Sequence, residues 1–355
     1  MTDVLRGPAL VLGAGAWGTA LAVHLAQRAG AGQVSLWARD PALAARLHDD
    51  QANAKYLPGV TLPSTLAIAS DLGRALVQWR EDVARQGTLG LLVFATPVAG
   101  LEAIAKAVAQ VLGPAARPHE ALIWLSKGLS VTPEGPSFYW PDDLVARALP
   151  DWPRGALTGP SFAQEVARGL PCALTLASQD AAFAREAARF CHGGAMRVYA
   201  SGDLIGAQLG GAMKNVLAIA AGVADGLALG ANARAALITR GLAEAARLGH
   251  ALGALPQTFM GLATLGDLVL TATGDLSRNR RVGMALAAGQ PLQEILGGLG
   301  HVAEGVSTAP AILALARQKK VDLPIVQAVC RLIEGAPVQA VLQALLSRDP
   351  VDEDH

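Results

Sequence analysis

Lys214-Asn215 interrupts one of the most apolar stretches of the chain, and an ammonium in that setting can do chemistry. Ile205, Leu209, Met213, Val216, Ala220 and Val223 recur around it at helical spacing, which predicts a core-facing helix. A lysine there must find a partner, reach water along its stem or lose its proton. A desolvated ammonium beside a carboxamide can hydrogen-bond a carbonyl oxygen and stabilise the charge that builds on it as hydride arrives at carbon. Asp267 also lies in an apolar run and is the natural partner of Lys214. Further on, Ser277-Arg278-Asn279-Arg280-Arg281 crowds three arginines and an asparagine together. Such a segment suits an anion, because guanidinium binds phosphate in a two-pronged fork. The plainer alternative is a solvated basic helix start capped by Ser277.

A second set of residues addresses a cofactor. Gly13-Ala14-Gly15-Ala16-Trp17-Gly18 directly follows a short apolar run, Ala9 to Leu12, and opens a long Ala/Leu helix pattern. In a dinucleotide fingerprint Gly13 allows the tight turn, Gly15 lets the backbone approach a pyrophosphate, and Gly18 lets helix and strand pack closely. The second strand ends in Trp37-Ala38-Arg39-Asp40-Pro41. Arginine at this tip suits a 2′-phosphate, so Arg39 favours NADPH over NADH. Asp40 reads better as a helix N-cap followed by Pro41 than as a ribose ligand. Ser126-Lys127-Gly128 stands at the end of a predicted strand, where open α/β sheets bind ligands. Gly159-Pro160-Ser161 offers backbone N–H groups and a hydroxyl to a small polar substrate, or is simply a turn. Ala303-Glu304-Gly305, a lone acid between glycine-rich turns, says little alone.

The elements that must position these residues follow from the apolar pattern. Strands are predicted at Ala9–Leu12, Val34–Ala38, Leu89–Ala95, Ala121–Leu125, Leu174–Ala177 and Met196–Tyr199, alternating with helices. That alternation implies a parallel, doubly wound sheet. The region 132–155 reads as a loop with a short helix. From about residue 201 the strand signal gives way to alanine-rich helices. The expected organisation is a dinucleotide-binding α/β domain over 1–198, an all-α substrate-binding and catalytic domain over 199–347, and a polar tail over 348–355.

Composition narrows the function classes. With 355 residues, 52% hydrophobic and 16% charged, the chain can build a large core and is no disordered segment. Twenty-nine basic and 29 acidic residues cancel, so no overall field favours nucleic acid or an anionic membrane. Cys172, Cys191 and Cys330 show neither metal-ligand spacing nor a disulfide framework, and the seven histidines are scattered, so no metal site is expected. The apolar stretch 204–231 is broken by Lys214, Asn215 and Asp225, which argues against a membrane span. The expected location is the cytosol.

These motifs together resemble the bacterial NAD(P)-dependent sn-glycerol-3-phosphate dehydrogenase family. The stretches that carry the resemblance are GAGAWGTALA at 13–22, LSKGL at 125–129, LTGPSFAQEVA at 157–167, GAMKNVLAIAAGVADGLALGANARAALITRGLAE at 211–244, TLGDLVLTATGDLSRNRRVG at 264–283 and VAEGVST at 302–308. The resemblance implies a Rossmann domain joined to an all-α domain of the 6-phosphogluconate dehydrogenase-like type. It implies the interconversion of dihydroxyacetone phosphate and sn-glycerol 3-phosphate with NADPH or NADH, feeding phospholipid synthesis. Carried over residue by residue, Lys214 is the catalytic lysine. Lys127, Gly159, Ser161, Lys214, Asp267, Ser277, Arg278 and Asn279 fall on substrate positions. Ala16, Trp17, Arg39, Tyr56, Lys127, Ala163, Arg278, Val302 and Glu304 join the three glycines on cofactor positions, Tyr56 with support only from Asn53-Ala-Lys-Tyr-Leu-Pro. Segments 76–88 and 132–155 look longer than the family requires and touch no recognised motif. A homodimer is expected by analogy with paired helical domains. The rival readings are a ketopantoate-type reductase or β-hydroxyacid dehydrogenase, which would not need the arginine cluster, and a non-catalytic NADP(H) sensor, which would not need the buried lysine.

Overall fold

The computed structural model describes residues 7–131, 138–299 and 303–347. The expected tail 348–355 therefore lies outside the described residues. The chain forms two compact units. One comprises 1–127 and 139–208, the other 128–138 and 209–355. The division at Gln208/Leu209 falls inside a helix, Leu204–Gly226, ten residues beyond the boundary expected at 198/199.

The first unit is built on an eight-stranded sheet. Named by first residue, its strands run in the order Met196, Cys172, Arg154, Glu120, Gly90, Ala9, Val34, Leu66. From Arg154–Thr158 to Leu66–Ala69 all neighbours are parallel, with Ala9 opposite both Val34 and Leu91. Ala9–Leu12, Gly90–Phe94 and Glu120–Trp124 are buried throughout, as strands covered on both faces require.

Three features correct the sequence expectation. Arg154–Thr158, within and just past the segment read as a loop, is a sheet strand, and Leu66–Ala69 adds an unread edge strand. Cys172–Ala177 runs antiparallel to Arg154–Thr158, so the sheet is mixed. The connection between these two strands carries a single short helix, Ala163–Ala167.

Parts of both longer segments, around Trp79 and Trp152, belong to the core of this unit. Helix Leu72–Gln86 buries Leu76, Trp79 and Val83 on one face. Trp79 stacks on Trp152 with centroids 6.3 Å apart, and Arg80 grips the buried Glu120 with both ends of its fork, at 2.5 and 2.7 Å.

Among its described residues the second unit is almost wholly helical. Helix Leu204–Gly226 is long and apolar enough to cross a membrane by length and composition, yet most of it is buried inside the protein. Helix Gly230–Ala251 contributes the buried Glu244, whose carboxylate accepts from the backbone of Ile325 at 2.7 Å and Val326 at 3.3 Å and so caps helix Pro324–Ile333. A π-helical turn, Leu262–Gly266, runs directly into helix Asp267–Thr273.

Candidate active site

In the first unit, parallel strands bring the motif residues to one edge. Gly13 follows Ala9–Leu12, Lys127 follows Glu120–Trp124 and Gly159 follows Arg154–Thr158, so all three stand at carboxyl ends. The three loop glycines differ in what they do. Gly13 has φ +124°, and a Cβ there would lie 2.9 Å from the Ala95 carbonyl oxygen. A Cβ on Gly18 would lie 1.9 Å from the Gly13 carbonyl oxygen. A Cβ on Gly15 would meet nothing within 4 Å. Gly13 and Gly18 are thus required by close packing, while Gly15 faces an open cradle at the start of helix Ala16–Ala26. That helix carries no side-chain cap. Backbone N–H groups around an open glycine fit a pyrophosphate.

Arg39 is exposed just past strand Val34–Trp37. The Asp40 carboxylate accepts from Ala42 N at 2.9 Å and caps helix Pro41–Asp49, with Pro41 in its first turn. The acid therefore serves the helix, which leaves arginine as the charged group at the strand tip.

Lys127 Nζ and Ser161 Oγ both donate to the Gly159 carbonyl, at 3.2 and 3.0 Å. Trp17 Nε1 donates to the Ser161 carbonyl at 3.3 Å. Trp17, Lys127, Gly159 and Ser161 thus form one cluster, and Ala163 begins the next helix. Asn53 was not singled out by sequence reasoning. It is 1% exposed, donates to the Ala14 carbonyl at 3.0 Å and Thr19 Oγ1 at 2.8 Å, and accepts from Tyr56 N at 3.3 Å. It ties the Tyr56 turn to the glycine loop. The only signal was its place in the stretch that supports Tyr56.

In the second unit, Lys214 Nζ donates to Asp267 Oδ1 at 2.9 Å and to Thr271 Oγ1 at 3.0 Å. The lysine side chain is 12% exposed and the aspartate 2%. A buried ion pair is tolerable when further hydrogen bonds satisfy it, and Thr271 supplies one. Thr271 was missed. Its signal was the spacing Asp267 to Thr271, one helical turn. The π turn packs closely against the lysine helix. A Cβ on Gly210 would be 2.1 Å from Thr264 Oγ1.

Asn215 accepts from Asn279 Nδ2 at 2.8 Å, and Asn279 Oδ1 accepts from Gly305 N at 3.1 Å. Both amides are buried. Asn279 therefore links the lysine helix to the start of helix Glu304–Lys319, where Glu304 is the first residue. Val302 lies outside the described residues.

The arginine cradle is narrower than its composition implies. Arg280 Nε donates to Asp225 Oδ2 at 2.7 Å and its Nη1 to Asp275 Oδ1 at 2.9 Å. Ser277 Oγ accepts from Arg280 N at 3.2 Å and caps helix Arg278–Ala287. Arg280 serves the fold, whereas Arg278 and Arg281 are exposed.

Similarity to known proteins spans both units. A family model described as NAD-dependent glycerol-3-phosphate dehydrogenase N-terminus matches residues 8–184, and one described as the C-terminus of the same family matches 203–343. A protein of Ralstonia nicotianae named glycerol-3-phosphate dehydrogenase, NAD(P)+, is 53% identical over 345 residues, covering 96% of this chain and 97% of its own. One of the same name from Cupriavidus necator is 51% identical over 349 residues, covering 96% of this chain and 98% of its own. The crystal structure of a glycerol-3-phosphate dehydrogenase from Coxiella burnetii superposes with a TM-score of 0.85 at 37% identity, covering 97% of this chain and 99% of that one.

Proposed function

Since the chain belongs to the NAD-dependent glycerol-3-phosphate dehydrogenase family, we propose that Lys214, with Asp267 and Thr271, is its catalytic centre and that Arg278 grips the phosphate of its substrate. The protein is an NAD(P)-dependent oxidoreductase that interconverts dihydroxyacetone phosphate and sn-glycerol 3-phosphate. A ketopantoate-type reductase and a non-catalytic sensor are not favoured.

The observation that carries the assignment is the buried Lys214–Asp267–Thr271 triad. Asp267 and Thr271 aim the Lys214 ammonium. So held, Lys214 hydrogen-bonds the C2 oxygen of the ketone, stabilises the forming alkoxide and delivers the proton it needs. The nicotinamide, when bound, supplies hydride to C2. Asn279 positions Arg278 and Glu304 through its bonds to Asn215 and Gly305. Ser277 holds the turn that presents Arg278.

In the first unit Gly13, Gly15, Ala16, Trp17, Gly18 and Ala163 hold the dinucleotide, with Tyr56 fixed by Asn53. Arg39 recognises a 2′-phosphate and tips the preference to NADPH. Lys127, Gly159 and Ser161, clustered in the first unit, are assigned to substrate binding. The first unit thus binds cofactor and the second performs catalysis. A homodimer in the cytosol is the expected form.

The test is nicotinamide absorbance with purified protein, dihydroxyacetone phosphate, and NADPH or NADH in parallel. Fast oxidation of NADPH and slower oxidation of NADH is the expected result. No oxidation of either by folded protein that binds NADPH would refute the reading.

A further inference from the structure

The lysine helix Leu204–Gly226 and the arginine helix Arg278–Ala287 meet backbone to backbone. A Cβ on Gly222 would stand 2.0 Å from the Arg280 carbonyl oxygen, and one on Gly283 would stand 2.0 Å from the Ile219 carbonyl oxygen and 2.7 Å from Val223 N. A Cβ on Gly226 would stand 2.6 Å from Ala287 Cβ. Side chains at a helix contact hold axes about 8–10 Å apart, and glycine at these positions removes that spacer. Bare backbone brings the helices together but presents few side chains that interlock against sliding.

The register is set by polar pins that hold the start of the arginine helix at two places along the lysine helix. Asn279 donates to Asn215, next to Lys214. The adjacent Arg280 reaches Asp225, which takes its Nε on Oδ2 at 2.7 Å and Arg234 Nη1 on Oδ1 at 2.8 Å. The Asp225 and Arg280 side chains are 11% and 12% exposed, so this pair is poorly screened. Asp275, the other acid on Arg280, is 97% exposed and contributes little.

We propose that Asp225 is a positioning residue for phosphate recognition, an inference that rests on the roles given above to Lys214 and Arg278. By anchoring Arg280 it fixes where the first turn of the arginine helix stands along the lysine helix. That sets the reach from the ammonium at the ketone oxygen to the guanidinium at the phosphate. The two helices act as a gauge for ketones whose phosphate ester sits on the carbon next to the carbonyl.

The test compares dihydroxyacetone phosphate with dihydroxyacetone, the same ketone without its phosphate, in wild type, Asp225→Asn and Asp225→Glu. For Asp225→Asn, kcat/KM for the phosphorylated ketone should fall roughly ten- to hundredfold, mostly through KM. The fall for dihydroxyacetone should be smaller by about tenfold or more. Asp225→Glu, which keeps the carboxylate, should recover part of the lost activity. Equal losses for both ketones, or no loss for either, would overturn the inference, because a merely structural aspartate cannot tell them apart. If Asp225→Asn does not melt cooperatively, Asp225→Glu carries the test: a loss selective for the phosphorylated ketone supports the gauge and an equal loss overturns it. Wild type that left dihydroxyacetone phosphate untouched would instead remove the catalytic assignment, and this inference with it.

Discussion

Lys214 and Asp267 each interrupt an apolar run, and each accounts for the other at 2.9 Å. That pairing was legible because a charge among Leu, Ile and Val is costly without a partner. Thr271 and Asn53 were not, because a threonine in a helix or an asparagine in a loop raises no such demand. Nor does sequence separate Arg278 from Arg280. The distinction is made by Asp225, more than fifty residues away along the chain. Two outcomes belong at this scale. Lys214→Ala should lose about 3–4 kcal/mol of transition-state stabilisation, read as kcat/KM, with NADPH affinity kept; near wild-type turnover would deny the lysine its role. Arg39→Ala should weaken NADPH by about tenfold or more, the worth of a charged hydrogen bond, and NADH far less. Titrations with the two cofactors decide it, and equal losses would remove Arg39 from the 2′-phosphate.

At the scale of elements, the strands that could be read are those buried on both faces, since each leaves a short unbroken apolar run bounded by turn residues. Arg154–Thr158 escaped because it begins with a charged residue after a proline and holds only a few apolar ones. The reversed direction of Cys172–Ala177 escaped because hydropathy does not encode which way a strand points. The π turn before Asp267 escaped too, being a matter of hydrogen-bond register rather than composition. The sequence presents the glycine loop as a unit, and its members separate only by their neighbours. Gly18→Ala would push a methyl to 1.9 Å from the Gly13 carbonyl oxygen, a backbone atom with no rotamer to give. It should destabilise the protein by roughly 1–3 kcal/mol and weaken both nicotinamide cofactors together. Calorimetry and cofactor titration check this, and unaltered affinity would separate the loop's shape from binding.

Over the whole molecule, stability should carry a pH signature from a residue remote from the proposed chemistry. Burial pushes the Glu244 carboxyl up to about 7, against the pull of its two backbone N–H bonds. The unfolded carboxyl titrates near 4.5. Between these values the native state holds a proton that the unfolded chain has released. Glu244's contribution is therefore full below about 4.5, falls as pH rises towards 7, and is level above. Thermal melts at about pH 5 and about pH 8 should differ in that direction by an amount on the order of a few kcal/mol. Glu244→Gln, which keeps an acceptor for Ile325 N, should flatten the profile. An unchanged slope in the variant would assign the pH dependence to other groups.

The partition of the chain also bears on how the protein is made. The stretch Gly128 to Val131 belongs to the second unit although the chain before it belongs to the first, and Ser130–Val131 lies against helix Glu304–Lys319. As the polypeptide leaves the ribosome, this segment emerges long before the helix that will cover it has been translated. The two units therefore cannot be completed strictly one after the other, because an early-made segment waits for late-made sequence. A message cut short after the dinucleotide-binding portion would yield a chain with an unsheltered segment, a substrate for chaperones and proteases rather than an independent cofactor carrier.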